Sequence, residues 1–99
     1  MVLGNTVNRD ARGQIMRTLK MLGPQGATER VLGLALDDAQ LPVSELEVAA
    51  LLQYLEDKDY IERESLHDPV YGAMIIFRIS AHGVDLIEGN IDADPGVRT

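Results

Sequence analysis

Apolar residues recur at helical spacing three times in the first half of the chain, and the rhythm then changes. Ala11, Ile15, Leu19 and Leu22 stand three to four positions apart. They predict a first helix from an Asn8 cap to about Leu22, with one buried stripe. Gly23-Pro24-Gln25-Gly26 ends it, because glycine suits the position after a helix and proline cannot continue one. A second helix is expected from a Thr28 cap to about Gln40, with Val31, Leu32, Ala35, Leu36 and Ala39 facing inward. Gly33 in its middle costs about 1 kcal/mol relative to alanine. A close approach by the first helix would account for it.

The third helix has the clearest start. Ser44-Glu45-Leu46-Glu47 has the form of a capping box, in which the serine oxygen takes the Glu47 amide and the Glu47 side chain returns to the Ser44 amide. Val43 and Val48 flank it at the positions of a hydrophobic staple. Val48, Leu51, Leu52 and Leu55 form its core stripe, and it ends near Lys58-Asp59. The period then shortens to two. Tyr60–Leu66 reads as a strand, His67–Gly72 as a loop and Ala73–Ile79 as a second strand, with Ala73, Ile75, Phe77 and Ile79 on one face and Met74, Ile76 and Arg78 on the other. Ser80 caps a last helix with Val84, Leu86 and Ile87 apolar, and Gly89-Asn90 stops it. Residues 1–7 are expected to be an N-terminal arm, 8–90 the domain, and Ile91–Thr99 an extended tail.

Composition narrows the chemistry. With no cysteine among 99 residues, disulfides, thiolate metal sites and cysteine nucleophiles are absent together. No apolar run approaches the ~20 residues that span a bilayer, and the start lacks the pattern of a secretory signal, so a soluble cytoplasmic protein is expected. Ser44 and Ser80 are committed as caps. His82 and Asp85 lack further ligands, and Gly23-Pro24-Gln25-Gly26 lacks the lysine of a phosphate loop. No enzymatic activity, no metal and no cofactor is expected.

The net charge of −7 is unevenly spread. Asn8–Leu22 holds Arg9, Arg12, Arg17 and Lys20 against Asp10 alone, or +3, so the remainder carries −10. An acidic body repels phosphate backbones at long range. The basic stretch reads as a solvated face or a contact with a second subunit, ahead of a nucleic-acid patch.

Helix, hairpin and capped helix in this order build a winged helix-turn-helix: an α+β, mostly α fold of three helices, a β-hairpin wing, a C-terminal helix and a tail. Tyr54-Leu55-Glu56-Asp57-Lys58-Asp59-Tyr60-Ile61-Glu62-Arg63 resembles the exit from a winged-helix recognition helix, with Asp59 where glycine is usual. Phe77–Gly89 resembles the strand-to-helix return of the same fold. The chain from Arg9 to Val97 is similar to a family of small winged-helix proteins encoded in Mu-like phages and prophages. That likeness rests on the basic first helix, Pro42-Val43-Ser44, Leu55-Glu56-Asp57-Lys58, Ile79–Gly89 and Pro95-Gly96-Val97. It implies the fold and a phage setting in a bacterial host, and no particular activity.

Two functions follow for such a frame. In the first, the protein is a non-catalytic module that forms a homodimer and meets a protein partner. Leu46 and Ala50, with Ala49, give the third helix an apolar outward strip, and Tyr71, Met74 and Ile76 give the wing another. In the second, it is a dimeric DNA-binding transcriptional regulator with the third helix in the major groove. Gln53 is then the base reader, and Arg63, Arg78, Arg12, Arg17 and Lys20 are the phosphate contacts. Charge disfavours this second reading, because Glu45 and Asp57 share the outward face with Gln53 and the loop offers Asp68 and no cation.

Overall fold

Ser44 opens the third helix as its sequence requires. Its Oγ accepts the Glu47 amide at 3.2 Å, and Glu47 Oε1 accepts the Ser44 amide at 3.3 Å. The protein, seen here in a computed structural model, is described over residues 3–99. Its elements are α1 (Leu3–Leu22), a 3-10 turn (Gly23–Gln25), α2 (Glu29–Asp38), α3 (Glu45–Asp57), β1 (Ile61–Asp68), β2 (Gly72–Ile79) and α4 (Ala81–Glu88).

Helix α1 begins at Leu3, five residues ahead of the expected Asn8 cap. No proline interrupts the preceding turn, and a half-buried Asn8 inside a helix costs only a few tenths of a kcal/mol. Residues 3–7 of the expected arm are therefore helix, while Met1 and Val2 lie outside the described residues. Ala11, Ile15, Met16 and Leu19 are buried along α1, and Leu22 is half-buried. Met16 was not in the expected stripe. It packs toward Gly83 of α4, where its Cε would lie 2.8 Å from an added Cβ.

Thr28 caps α2 by accepting the Val31 amide at 3.3 Å. Leu32 and Leu36 are buried, but Val31 is 46% exposed, which corrects its expected inward placement. The buried line runs through i and i+4, and Val31 falls off its edge. The nearest atom to a Cβ at Gly33 is Val48 Cγ2 at 3.9 Å. No close approach by α1 requires this glycine. Close approaches occur instead at Gly13, Gly26, Gly83 and Gly96.

Val48, Leu51, Leu52 and Leu55 are all buried, so the phase of α3 is as expected. Its exit uses Asp59 at φ 62°, the left-handed conformation that glycine usually supplies, and the Tyr60 amide returns to the Leu55 carbonyl at 3.0 Å. The hairpin is longer than expected. His67 and Asp68 belong to β1 and Gly72 to β2, in a register from Ile61↔Ile79 to Asp68↔Gly72. Asp68 Oδ1 shortens the loop by accepting the amides of Val70 and Tyr71 at 2.7 and 2.9 Å.

Ala27 adds a one-residue bridge to the sheet, exchanging two backbone hydrogen bonds with Phe77. Gly26 makes room for it, since a Cβ there would meet the Phe77 carbonyl oxygen at 2.5 Å. Ser80 Oγ donates to the Asp59 carbonyl at 2.6 Å and accepts the Gly83 amide at 3.0 Å, so one hydroxyl ties the α3 exit to the start of α4.

The tail is not the extended segment the sequence predicts. It turns at Asp94–Val97 and lies against α1 and α3, with Val97 only 2% exposed inside the core cluster. A buried valine releases apolar surface from water, which a solvated tail would not.

Candidate nucleic-acid interface

The outward side of α3 is bare. Glu45, Leu46, Ala49, Ala50, Gln53 and Asp57 are exposed, and Leu46 is 84% so. Gln53 Nε2 donates to Asp57 Oδ1 at 2.8 Å, which fixes the amide along the helix face. A glutamine in that position can read the edge of adenine, and the neighbouring carboxylates would face phosphates.

The cations named from the sequence do not gather on that face. Arg63 and Arg78 leave the hairpin on opposite sides, as their register partners Phe77 and Glu62 require. Arg63 binds Glu56 at 3.1 Å and lies 5.1 Å from the centre of the Phe77 ring. Arg78 donates to the Pro24 carbonyl at 2.7 Å and pairs with Glu64. Lys20 meets Glu88 of α4 at 3.6 Å. Arg12 and Arg17 turn to the tail, donating to the carbonyl oxygens of Gly96 and Arg98, each at 3.0 Å. The basic helix is thus more than a solvated face, although Arg17 and Lys20 stay exposed on it. It holds the chain's own C-terminal segment.

Asp94 is the hub of that contact and was missed from the sequence. Its carboxylate accepts the Gly96 amide at 2.8 Å, the Tyr60 hydroxyl at 2.8 Å and the Tyr54 hydroxyl at 3.4 Å, and lies 3.7 Å from Lys58 Nζ. Burial works against its charge, but the Gly96 amide, the Tyr60 hydroxyl, Lys58 and the Tyr54 hydroxyl outweigh it and hold the carboxyl below its ordinary value. The Arg12 guanidinium lies 3.8 Å from the centre of the Tyr54 ring. The one local signal was a basic helix together with the turn-forming run Asp94-Pro95-Gly96 ahead of Val97.

The apolar interface candidates are divided. Leu46, Ala50 and Tyr71 are exposed, Tyr71 by 81%. Met74 and Ile76 are only half-buried, and Ile75, expected inward, is 44% exposed. The wing reaches past the helical core, so its inner face overhangs a groove of about 710 Å³ between α2, the start of α3 and β2. Leu34, Val43, Ile75 and Phe77 line it, with Arg30 and Glu45 among its charged residues. Among the described residues no cluster of three or more His, Asp or Glu could hold a metal, and His82 stacks on Tyr60 with ring centres 5.1 Å apart.

No protein-family model matches this chain, and no curated protein sequence does. Among solved structures, the crystal structure of a PadR-like transcription factor from Bacteroides fragilis superposes with a TM-score of 0.66 at 19% identity, covering 80% of this chain and 74% of that one. The fold is a winged helix. It is mostly helical α+β, with four helices over the described residues and the two-stranded hairpin β1–β2 as the wing after α3. No helix among the described residues is long and apolar enough to cross a membrane.

Proposed function

We propose that this winged helix is a DNA-binding transcriptional regulator that works as a dimer, by binding and not by catalysis. The observation that carries the reading is the uncovered outward face of α3, with Gln53 at its centre, in a fold shared with a protein described as a transcription factor. On the sequence likeness given above, the regulator belongs to a phage or prophage and acts in the cytoplasm of its host. This reading is placed ahead of the protein-partner module, which the charge distribution and the outward apolar strips of the third helix and the wing favoured.

Selection of duplexes from a random pool at low salt tests it. A dimer should enrich two half-sites about one helical turn apart. Gln53→Ala should relax preference at one base pair by about 1–3 kcal/mol, the value of a bidentate contact. A pool that shows no enrichment would overturn the reading. The protein-binding module remains the second reading for one specific reason: Arg12, Arg17, Lys20, Lys58, Arg63 and Arg78 all have acceptors within the chain.

A further inference from the structure

We infer that Arg12, Arg17 and Lys58 form a phosphate-binding edge beside α3, and that the chain's own C-terminal segment, residues 94–98, occupies it as a stand-in for a nucleic-acid backbone. The inference rests on the regulator reading and adds its regulation.

The acceptors offered by the tail are those a sugar–phosphate strand would offer. Asp94 presents a carboxylate to Lys58 at 3.7 Å, and the carbonyl oxygens of Gly96 and Arg98 take guanidinium donors from Arg12 and Arg17. A negative group and two further oxygens thus face three cations in one run of five residues. Lys58 follows the last turn of α3, and Arg12 stacks on Tyr54 of the same helix. The edge therefore adjoins the face that carries Gln53, rather than lying elsewhere on the molecule.

A second observation points to a ligand richer in acceptors than the tail. The Nε atom of Arg12 is shielded from solvent and has no hydrogen-bond partner; the same holds for Arg9 Nε, outside the edge, and for Asp10 Oδ1, an acceptor that lies 3.4 Å from Arg98 Nε of the tail. A guanidinium offers five N–H donors, and a buried donor left unpaired is destabilising. The tail leaves part of this donor set unused. A phosphate, with several acceptor oxygens, fits it better. Tail release also explains how an acidic domain with self-bound cations meets DNA. The bound tail keeps affinity low by occupying these donors, and its departure frees three cations next to the recognition helix, of which Arg12 alone is half-buried while the tail is docked.

The full-length chain carrying Asp94→Ala with Val97→Ala tests this, using labelled random duplex DNA in an anisotropy salt series. Hydrogen exchange at the Gly96, Val97 and Arg98 amides reports release, since all three are bonded in the docked tail, and protected α3 amides report that the fold survives. Asp92→Ala makes a similar charge change at an exposed tail residue. Asp94→Ala alone serves if the double variant does not fold. The released variant should bind at least ten-fold more tightly than the parent at low salt. Its salt slope should steepen by about 3, because each neutralised phosphate contributes ~0.9. Adding Arg12→Ala and Arg17→Ala should reverse most of the gain, and Asp92→Ala should leave binding near the parent. Equal binding by the parent and by a variant with a freely exchanging tail overturns the inference and leaves the regulator reading standing. Absence of binding by every variant at low salt overturns both.

Discussion

Tyr60 donates its hydroxyl to Asp94 Oδ2 at 2.8 Å and so ties the exit of α3 to the tail. The two groups titrate in opposite senses. Burial pushes the Tyr60 hydroxyl up to about 12, helped by the hydrogen bond and charge of Asp94 and by Tyr54. Asp94 is held below its ordinary value, its donors outweighing burial.

The tail contact should therefore be strongest over a wide neutral range. A depressed carboxyl stabilises the fold above its unfolded value of ~4, and that contribution fades as pH falls through the lower folded value. A raised tyrosine contributes below its unfolded value of ~10, and its share is lost as pH rises toward about 12. Tyrosinate absorbance should show a component, Tyr60, titrating toward about 12, and the Gly96 amide resonance should move in acid. Asp94→Asn should abolish the movement in acid and make the late tyrosine titrate earlier without returning it to ~10, because burial, the larger cause, remains. Absence of any tyrosine component titrating above the ordinary value of ~10 would show that the contact does not form in solution.

Gly13 should reverse the usual preference of a helix for alanine. An exposed glycine in mid-helix is improved by alanine by about 1 kcal/mol. At Gly13, however, a Cβ would sit 1.9 Å from the Arg98 carbonyl oxygen, and backbone must move. Gly13→Ala is expected to destabilise the protein in urea and to raise exchange at the tail amides. Gly33→Ala is the control, since its Cβ would meet nothing closer than 3.9 Å, and it should stabilise. If both changes stabilise, the tail does not pack on α1.

What was legible in the sequence was local. The capping box, the α3 stripe and the left-handed Asp59 depend on residues a few positions apart, and each appears where its chemistry places it. The tail contact joins Arg12 to Gly96, 84 positions away, and no periodicity reports such a pairing. Arginines that bind carbonyl oxygens look in sequence like arginines that bind water. The wing failed differently. Alternation separates Ile75 and Phe77 from Met74 and Ile76, but it cannot say that the hairpin outruns the core and leaves Ile75 under an overhang. Val31 shows the same limit on a helix whose buried stripe is narrower than its apolar one.

The start and the centre of α3 should respond to mutation on different scales. Ser44→Ala orphans the Glu47 amide at an exposed helix end and should cost about 1 kcal/mol. Leu52 is fully buried, so Leu52→Ala leaves a cavity and should cost about 2–5 kcal/mol. Denaturant unfolding at constant m-value separates the two. A neutral Leu52→Ala would mean that α3 is rotated, and the outward position of Gln53 would fail with it.

The last prediction concerns self-association. Leu46 is 84% exposed on α3, and Val70 and Tyr71 are each 81% exposed at the wing tip. Single exposed apolar side chains are ordinary, but adjacent ones at a tip and a bare strip along a helix are common features of interfaces. A dimer would also double the phosphate contacts of a subunit poor in free cations, and those contacts dominate DNA affinity. Light scattering at micromolar concentration should report twice the chain mass. Leu46→Glu and Tyr71→Ser tell the two surfaces apart. If α3 is the recognition helix, it must stay open in the dimer, so Tyr71→Ser should dissociate the pair and Leu46→Glu should leave it intact. Dissociation by Leu46→Glu alone would place α3 inside the subunit contact and remove it from the DNA-binding reading. A monomer at every concentration would remove the dimer from both functional readings.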